Sequence, residues 1–475
     1  MKINARMPIV AASIGFACFL AMNSFSLLGF SYLPEFVMGA HADKAWSLPL
    51  ALSNTAAFLV FVIAASKNKA KHPPLAGAVG FVACGLICLL GFLGSENLPL
   101  LFLSGGCVGV GTTCCFVCWE TVFSRMGDRQ RKLCILAGSV LSAASFAFFA
   151  TADNSLTLFA IMVLAFGSIA TMYFCLKAIP EKQENLPFAL NAKSLKEYAG
   201  LLLCILAIGV ISPVIDGAMP NEGSNLMGRG FIVHGANVLS AIVLGVAWFA
   251  FDKAITIKRA YYLVFPLFVT ALFLFPFVSD EMKQAASFAA SFGFTFFSIV
   301  MMISCIEISE EKHEGLIGLY ALFAFVTYAS RFVGDGVSFV LGQSSIPNDT
   351  LPMAAAFLLV YLLSIVMFLV SRKSRHEATP LQSPDTQAEQ PHRDIEDRAE
   401  RQCAILAEQY KLTERQHEIL VLFSHGYDIP SIAKRLFISE NTVRTHTKKL
   451  YLVLDVHSKQ EIISLIETVD LDSEA

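Results

Sequence analysis

Charge is what this sequence has least of. Asp, Glu, Lys and Arg make up 15% of its 475 residues, against 55% hydrophobic, and mean hydropathy is +0.61. Soluble domains carry about 25% charged residues, so most of this chain is excluded from that class. Cysteine is missing where disulfides would need it: of twelve, only Cys403 lies outside the long apolar runs, and no disulfide framework is implied. Cys114, Cys115 and Cys118 suggest a metal cluster by spacing. They sit among glycine, threonine and phenylalanine with no histidine nearby, and read as small packing residues. No phosphate-cradling glycine loop, catalytic triad or zinc motif is present. Accordingly no catalytic or metal-ligating residue is assigned, no cofactor is expected, and the chain is not read as an enzyme. The net charge of −3 is too small to indicate a partner; its distribution is more telling.

Long apolar runs are abundant. Twelve have the length needed to cross ~30 Å of hydrocarbon, at about 8–33, 46–66, 75–94, 99–119, 133–151, 156–176, 199–219, 231–251, 260–279, 285–306, 315–342 and 352–371. The first is too long for a removable signal peptide and lacks a convincing cleavage site. With a cytoplasmic N-terminus, the inside segments hold twenty Lys and Arg, from Lys2 and Arg6 to Arg372, Lys373 and Arg375. The outside loops hold three, Lys44, Arg229 and Lys283. Because positive loops resist translocation, both termini are expected in the cytoplasm, in a multi-pass protein of the bacterial inner membrane.

The longest loop among the spans, Lys177 to Tyr198, divides them six plus six. This layout resembles major-facilitator transporters. The basic, glycine-anchored motif of that family is absent between the second and third spans, where Ser66 to Pro74 stands instead. An echo of it, Arg125-Met126-Gly127-Asp128-Arg129-Gln130-Arg131-Lys132, falls between the fourth and fifth, where a solvated positive loop is an equal explanation.

Composition changes after Val370. Residues 372–393 are polar and proline-punctuated, a flexible linker, and 394–410 show helical spacing at Ile395, Ala399, Cys403 and Leu406. Residues 411–475 read as four helices with start signals. Thr413 with Gln416 forms a capping box, Asp428 and Ser439 cap the next two helices, and Ser458 with Glu461 forms a second box. Gly426 stops the first helix, and Pro430 is tolerated only in a first turn. Between Asn441 and Leu454 there are three basic residues and no acidic one. Arg444 and Lys448 share a face with Thr445 and Lys449 beside them, while Val443, Leu450 and Leu454 face the other way. A helix cationic on one side and buried on the other, second in a helix-turn-helix pair, suits a major groove.

Leu412-Thr413-Glu414-Arg415, Gly426, Ile432-Ala433, Leu436 and Ile438 to His446 together resemble the helix-turn-helix domain of LuxR-type transcription regulators. The resemblance covers about residues 411–466. It implies that Arg444, Thr445 and Lys448 approach base edges of double-stranded promoter DNA, with Thr442 and His446 on phosphates, and Lys449 joins that face. It further implies a homodimer on DNA through the fourth helix, with Ser458, Glu461, Ile462 and Leu465 as contact residues. Departures from the family pattern are Asp428-Ile429-Pro430-Ser431 where Ser-Asn-Lys-Glu is usual, Val453 where a basic residue is usual, and Lys459 for arginine.

With no phospho-acceptor domain and no soluble ligand pocket in view, the membrane part, 1–371, is the expected input. Charged residues inside spans are functional candidates. Arg331 and Asp335 lie one turn apart, either as a structural pair or as a site for a small-molecule ligand or gate. Asp216 and His234 lie near the outer ends of their spans, with ordinary packing as the competing reading. Glu120 and Glu307 read as interfacial, and Trp46, Trp119 and Trp248 as interface anchors. The fold class expected is all-α: a twelve-helix transmembrane bundle in the lipid bilayer plus a four-helix LuxR-type domain. The function expected is a membrane-embedded one-component transcriptional regulator; the alternative is a small-molecule transporter with a regulatory C-terminal domain.

Overall fold

The computed structural model describes residues 7–28, 40–70, 72–149, 154–181, 186–217, 226–251, 280–343, 401–424, 429–436, 438–456 and 459–467. Tyr427 and a few positions within 255–270 and 361–365 are also described. The chain divides into two units, Met1–Thr379 and Pro380–Ala475.

In the first unit the described helices are α1 (Met7–Leu28), α2 (Ala40–Ser66), α3 (Leu75–Ser95), α4 (Leu98–Ser124), α5 (Asp128–Phe149), α6 (Asn154–Ala178), α7 (Ala192–Gly217), α8 (Leu226–Gly245), α9 (Asp280–Lys312) and α10 (Leu316–Gln343). A π-helical turn, Val246–Ala250, prolongs α8. Nine of the described helices are long and apolar enough to cross a membrane. The remaining long one, α5, opens on the charged run Asp128 to Lys132. The predicted ninth and twelfth spans lie for the most part outside the described residues.

Lipid contact explains why these helices are apolar on every side. In α3, Ala78, Val82, Leu89 and Phe92 are buried while Phe81, Ile87 and Leu90 are exposed. In the first half α1 packs on α5 and α6, and α4 on α2 and α3. In the second half α7 packs on α10, and α8 on α9. The halves meet through α2 with α10 and α5 with α8.

In hydrocarbon there is no hydrophobic drive between helices, so close backbone approach and a few polar bonds must hold them. A Cβ added to Gly105 of α4 would lie 2.5 Å from the Trp46 carbonyl of α2, and one on Gly109 would lie 2.5 Å from that of Leu50. Beside this seam Thr113 Oγ1 donates to Asn54 Oδ1 at 2.6 Å, and Ser104 Oγ donates to the Gly85 carbonyl at 2.6 Å. The tryptophans are not interface anchors: Trp46, Trp119 and Trp248 are 1%, 0% and 7% exposed. Trp119 stacks on Phe123 and donates to Ser168 Oγ at 3.3 Å, which draws it into the helix packing.

The second unit has its own core. Residues 401–409 are helical, followed by α11 (Glu414–Ser424), α12 (Ile429–Arg435), α13 (Glu440–Leu454) and α14 (Lys459–Glu467). Cys403 and Leu406 pack with Ile419, Leu420, Phe423, Ile432, Val443, Leu450 and Ile462, so the connecting helix belongs to this module. The Thr413 capping box is reciprocal: the Thr413 amide donates to Gln416 Oε1 at 2.8 Å, and the Gln416 amide to Thr413 Oγ1 at 3.4 Å. Ser439 Oγ accepts from the Thr442 amide at 3.1 Å and caps α13. The expected roles of Gly426, Asp428 and Ser458 lie outside the described residues.

The α2–α4 seam generates the first prediction. Gly105→Ala or Gly109→Ala should lower thermal stability in detergent by the equivalent of about 1–3 kcal/mol, the usual cost of overpacking. Gly106→Ala is the control, because a Cβ there meets nothing within 4 Å. Equal melting curves for all three would mean that the seam opens freely.

Candidate functional site

A cavity of about 220 Å³ lies between the halves of the bundle. Phe16 and Asn23 of α1, Phe116 of α4 and Ser139 of α5 face it from the first half. Ser212 of α7, Asn237 of α8, Phe294 and Met302 of α9, and Tyr320 and Arg331 of α10 face it from the second. Of the four predicted sensing residues, the cavity takes in Arg331 alone. His234 is buried at 3% exposure beside lining residue Val233. Asp216 lies on α7, with its side chain outside the described residues. Asp335 is exposed and makes no hydrogen bond or ion pair with Arg331, although their charges attract across one turn. The two are therefore not a mutually neutralising contact pair. Arg331 instead stacks over Phe294, its Cζ 4.9 Å from the ring centroid.

Glu120 corrects the sequence reading most sharply. It is no interfacial carboxylate: it is 1% exposed, and neither side-chain oxygen has a hydrogen-bond partner. Its charge reaches Cys305 of α9 and Tyr320 of α10, the second of which lines the cavity. Nothing in hydropathy marks such a position; only tertiary packing decides it.

The basic run between α4 and α5 is likewise not merely a solvated loop. Arg131, whose side chain is 5% exposed, grips Glu310 of α9 through two hydrogen bonds of 2.9 Å. Lys132 reaches Glu307 at 3.5 Å and sits over Trp248, 5.6 Å from its ring centroid. Arg125 Nη1 donates to the carbonyls of Leu176 and Ile179 at 2.7 and 3.2 Å, tying the turn to the end of α6. Burial pushes the Asp128 carboxyl up, but Lys132 and Arg131 outweigh it and hold the group below its ordinary value. Burial likewise works against the Arg131 cation, and the Glu310 and Asp128 carboxylates together more than offset it. Together these residues clasp the two halves at the end of the bundle predicted to face the cytoplasm.

In the second unit, Thr442, Arg444, Thr445, Lys448 and Lys449 are exposed on α13, with His446 half-buried at their edge. Val443, Thr447, Leu450 and Leu454 are buried beneath them. Arg444 lies 3.5 Å from Glu440, one turn back. The hydroxyls of Thr442 and Thr445 are occupied locally, the first with Ser439 Oγ at 2.8 Å and the second donating to the Asn441 carbonyl at 2.9 Å. Arg415, in the run that opens the domain, has a structural role that spacing does not reveal: its Nη2 donates to the Leu436 carbonyl at 3.0 Å and holds α11 to the end of α12. On α14, Glu461 is exposed and Leu465 half-buried, but Ile462 is 0% exposed in the core. Ile462 therefore supports the domain from inside and offers no surface for a dimer contact.

No group of three His, Cys, Asp or Glu side chains able to hold a metal ion occurs among the described residues. No curated protein matches the sequence. Residues 410–466 match the family model described as bacterial regulatory proteins, luxR family. Among solved structures, the chain is similar to a bacterial homologue of the iron transporter ferroportin in an outward-facing state with soaked iron. Identity there is 14% over 78% of this chain and 100% of that one, with a TM-score of 0.55. It is also similar to the E. coli fucose:proton symporter FucP, at 12% identity over 77% and 98% of the two chains and a TM-score of 0.52. FucP, as a major facilitator superfamily transporter in the outward conformation, matches at 12% identity, 77% and 98% coverage and a TM-score of 0.51. The chain joins a membrane bundle with the fold of major facilitator transporters to a C-terminal module that matches the luxR family of bacterial regulatory proteins.

Proposed function

We propose that this chain is a membrane-embedded one-component transcriptional regulator that senses a small molecule through the inter-half cavity and binds promoter DNA through α13. The observation that carries the reading is the exposed face of Arg444, Thr445, Lys448 and Lys449 on a module with its own core. Arg444 and Lys448 address base edges, while Thr442, His446 and Lys449 address phosphates. The module pairs through the exposed side of α14, around Glu461 and Leu465, on a two-fold operator. Both termini are cytoplasmic, in the bacterial inner membrane, which puts the module where the DNA is. Cavity occupancy shifts the bundle between two arrangements, and the Arg131–Glu310 clasp biases that equilibrium. Changed pairing of bundles then raises the effective concentration of one DNA-binding module near another.

A second reading has a specific observation behind it. A buried, unpartnered Glu120 beside a central cavity also suits a carrier that moves a solute, with the C-terminal module regulating it. Uptake by vesicles containing the full chain, compared with transcript changes in a deletion strain, separates the two. Uptake without any transcript change would favour the carrier.

The segment from Asp394 to Ala475 should fold alone and shift promoter fragments from its own genomic neighbourhood as a dimer. Arg444→Ala should cost ~1–3 kcal/mol and relax specificity at one base pair. Lys449→Ala should weaken all sequences alike and lower the salt slope by about one. Equal, sequence-independent losses from both would refute the assigned recognition face.

Opening the clasp should expose what lies behind it. Glu310 is 36% exposed, so solvent screens the pair and its loss is worth about 1–2 kcal/mol, roughly a tenfold population shift. In a background with Cys305 as the single cysteine, Arg131→Ala should speed maleimide labelling of that thiol by about this factor. The double swap Arg131→Glu with Glu310→Arg should slow it again. Unchanged labelling would mean that the pair does not govern opening.

A further inference from the structure

We infer that the inter-half cavity takes a small organic monoanion, a carboxylate on an apolar body, with its charged end paired to Arg331 and a polar group on Asn23. This deepens the reading of the cavity as the input site and rests on it.

The first ground is charge. Among the described lining residues Arg331 is the single ionisable side chain of charged type, and it is a cation. It has no hydrogen bond or ion pair with any described residue, and Asp335, one turn away, does not reach it. A guanidinium held in a membrane interior with no hydrogen-bond or ion-pair partner among the described residues is costly, so an anion entering the cavity gains what those residues withhold.

The second ground is geometry. Stacking on Phe294 occupies one face of the guanidinium and leaves its in-plane N–H donors without a partner among the described residues. A planar fork of donors matches the two oxygens of a carboxylate.

The third ground is what the rest of the lining offers. Several of its hydroxyls are already spent: Thr295 donates to Asn237 Oδ1 at 2.8 Å, Ser298 to the Phe294 carbonyl at 2.8 Å and Thr327 to the Phe323 carbonyl at 2.9 Å. Asn23, 9% exposed on α1, lines the cavity from the opposite half and makes no hydrogen bond with a described residue. With one cation and no second basic group in the described lining, a dianion such as a phosphate ester would be left half-compensated. The volume, below the ~300–1,000 Å³ usual for drug-sized ligands, sets the size class as small. Phe16, Phe116 and Met302 supply walls for an apolar body. A ligand that touches Arg331 and Asn23 at once would draw the halves together around itself, which is what an input to a two-state bundle needs.

The test uses the purified full chain in detergent. Pyruvate, benzoate and phenylacetate are titrated as anionic probes, with benzamide and benzylamine as neutral and cationic counterparts of benzoate's size. Two signals are read: thermal stabilisation, and tryptophan fluorescence, since Trp119 meets lining residue Phe16 edge-on at 5.8 Å. At least one anion should bind saturably, and the counterparts of a binding benzoate should be weaker by about tenfold or more. Arg331→Gln should abolish the response, Arg331→Lys should retain part of it, and Asn23→Ala should weaken it severalfold. If Arg331→Gln does not fold, the comparison of charged and neutral probes on the natural chain still decides. No binding by any anion, or equal binding of benzoate and benzamide, overturns the inference. Benzamide binding that Arg331→Gln leaves intact would overturn the anion class alone and keep the cavity as a ligand site. An anion that binds but leaves transcription of the neighbouring genes unchanged would instead sink the sensing reading while the site stands.

Discussion

A bilayer gives a helix no water to bond with and no hydrophobic reason to seek another helix, and this bundle is built around that constraint. Its seams are therefore made of what survives in hydrocarbon: glycines that admit a neighbouring carbonyl, and short polar bonds such as Thr113 to Asn54. Against that background an unsatisfied polar group stands out energetically. Arg331 and Glu120 are two such groups at the boundary between the halves, one facing the cavity and the other fully buried beside it. Stacking on Phe294 offsets part of the cost of Arg331, but its N–H donors and the Glu120 carboxylate have no hydrogen-bond partner among the described residues, and the bundle bears that remaining cost. That cost is recovered only in another state, with a ligand, an ion or a changed arrangement of the halves.

How far the sequence could be read follows from the same physics. In the second unit water covers one side of every helix, so apolar spacing records which side is buried. Val443, Leu450 and Leu454 point inward and Arg444, Lys448 and Lys449 outward, as the spacing requires, and Thr413 with Ser439 mark where helices begin. Ile462 sits on the side of α14 that the core needs, and a resemblance to a dimer helix does not by itself mark which side that is. In the bundle, lipid and protein neighbours demand the same apolar residues. Length and composition mark the helices, while their facing is silent. That is why Trp46, Trp119 and Trp248 read as anchors from sequence and Glu120 as a headgroup residue, although all four are buried. The clasp escaped for a related reason: Arg131 and Glu310 are 179 residues apart, and a basic run after a span has an adequate explanation in topology alone.

The two halves and the clasp set an energy scale for signalling. A ligand can move a two-state bundle only by its differential affinity for the two arrangements, and reversing a 1:99 population takes about 5.5 kcal/mol. A single carboxylate–guanidinium contact in a small cavity does not supply that against a rigid barrier. It suffices only if the clasp already brings the two states within a few kcal/mol of each other. A partly solvated pair like Arg131–Glu310, with one partner 36% exposed, is of the right strength: firm enough to populate one state, weak enough for one ligand to overcome. A fully buried pair would lock the bundle and a fully exposed one would leave it undecided. The exposure of Glu310 is thus as much part of the proposed input as the cavity between the halves.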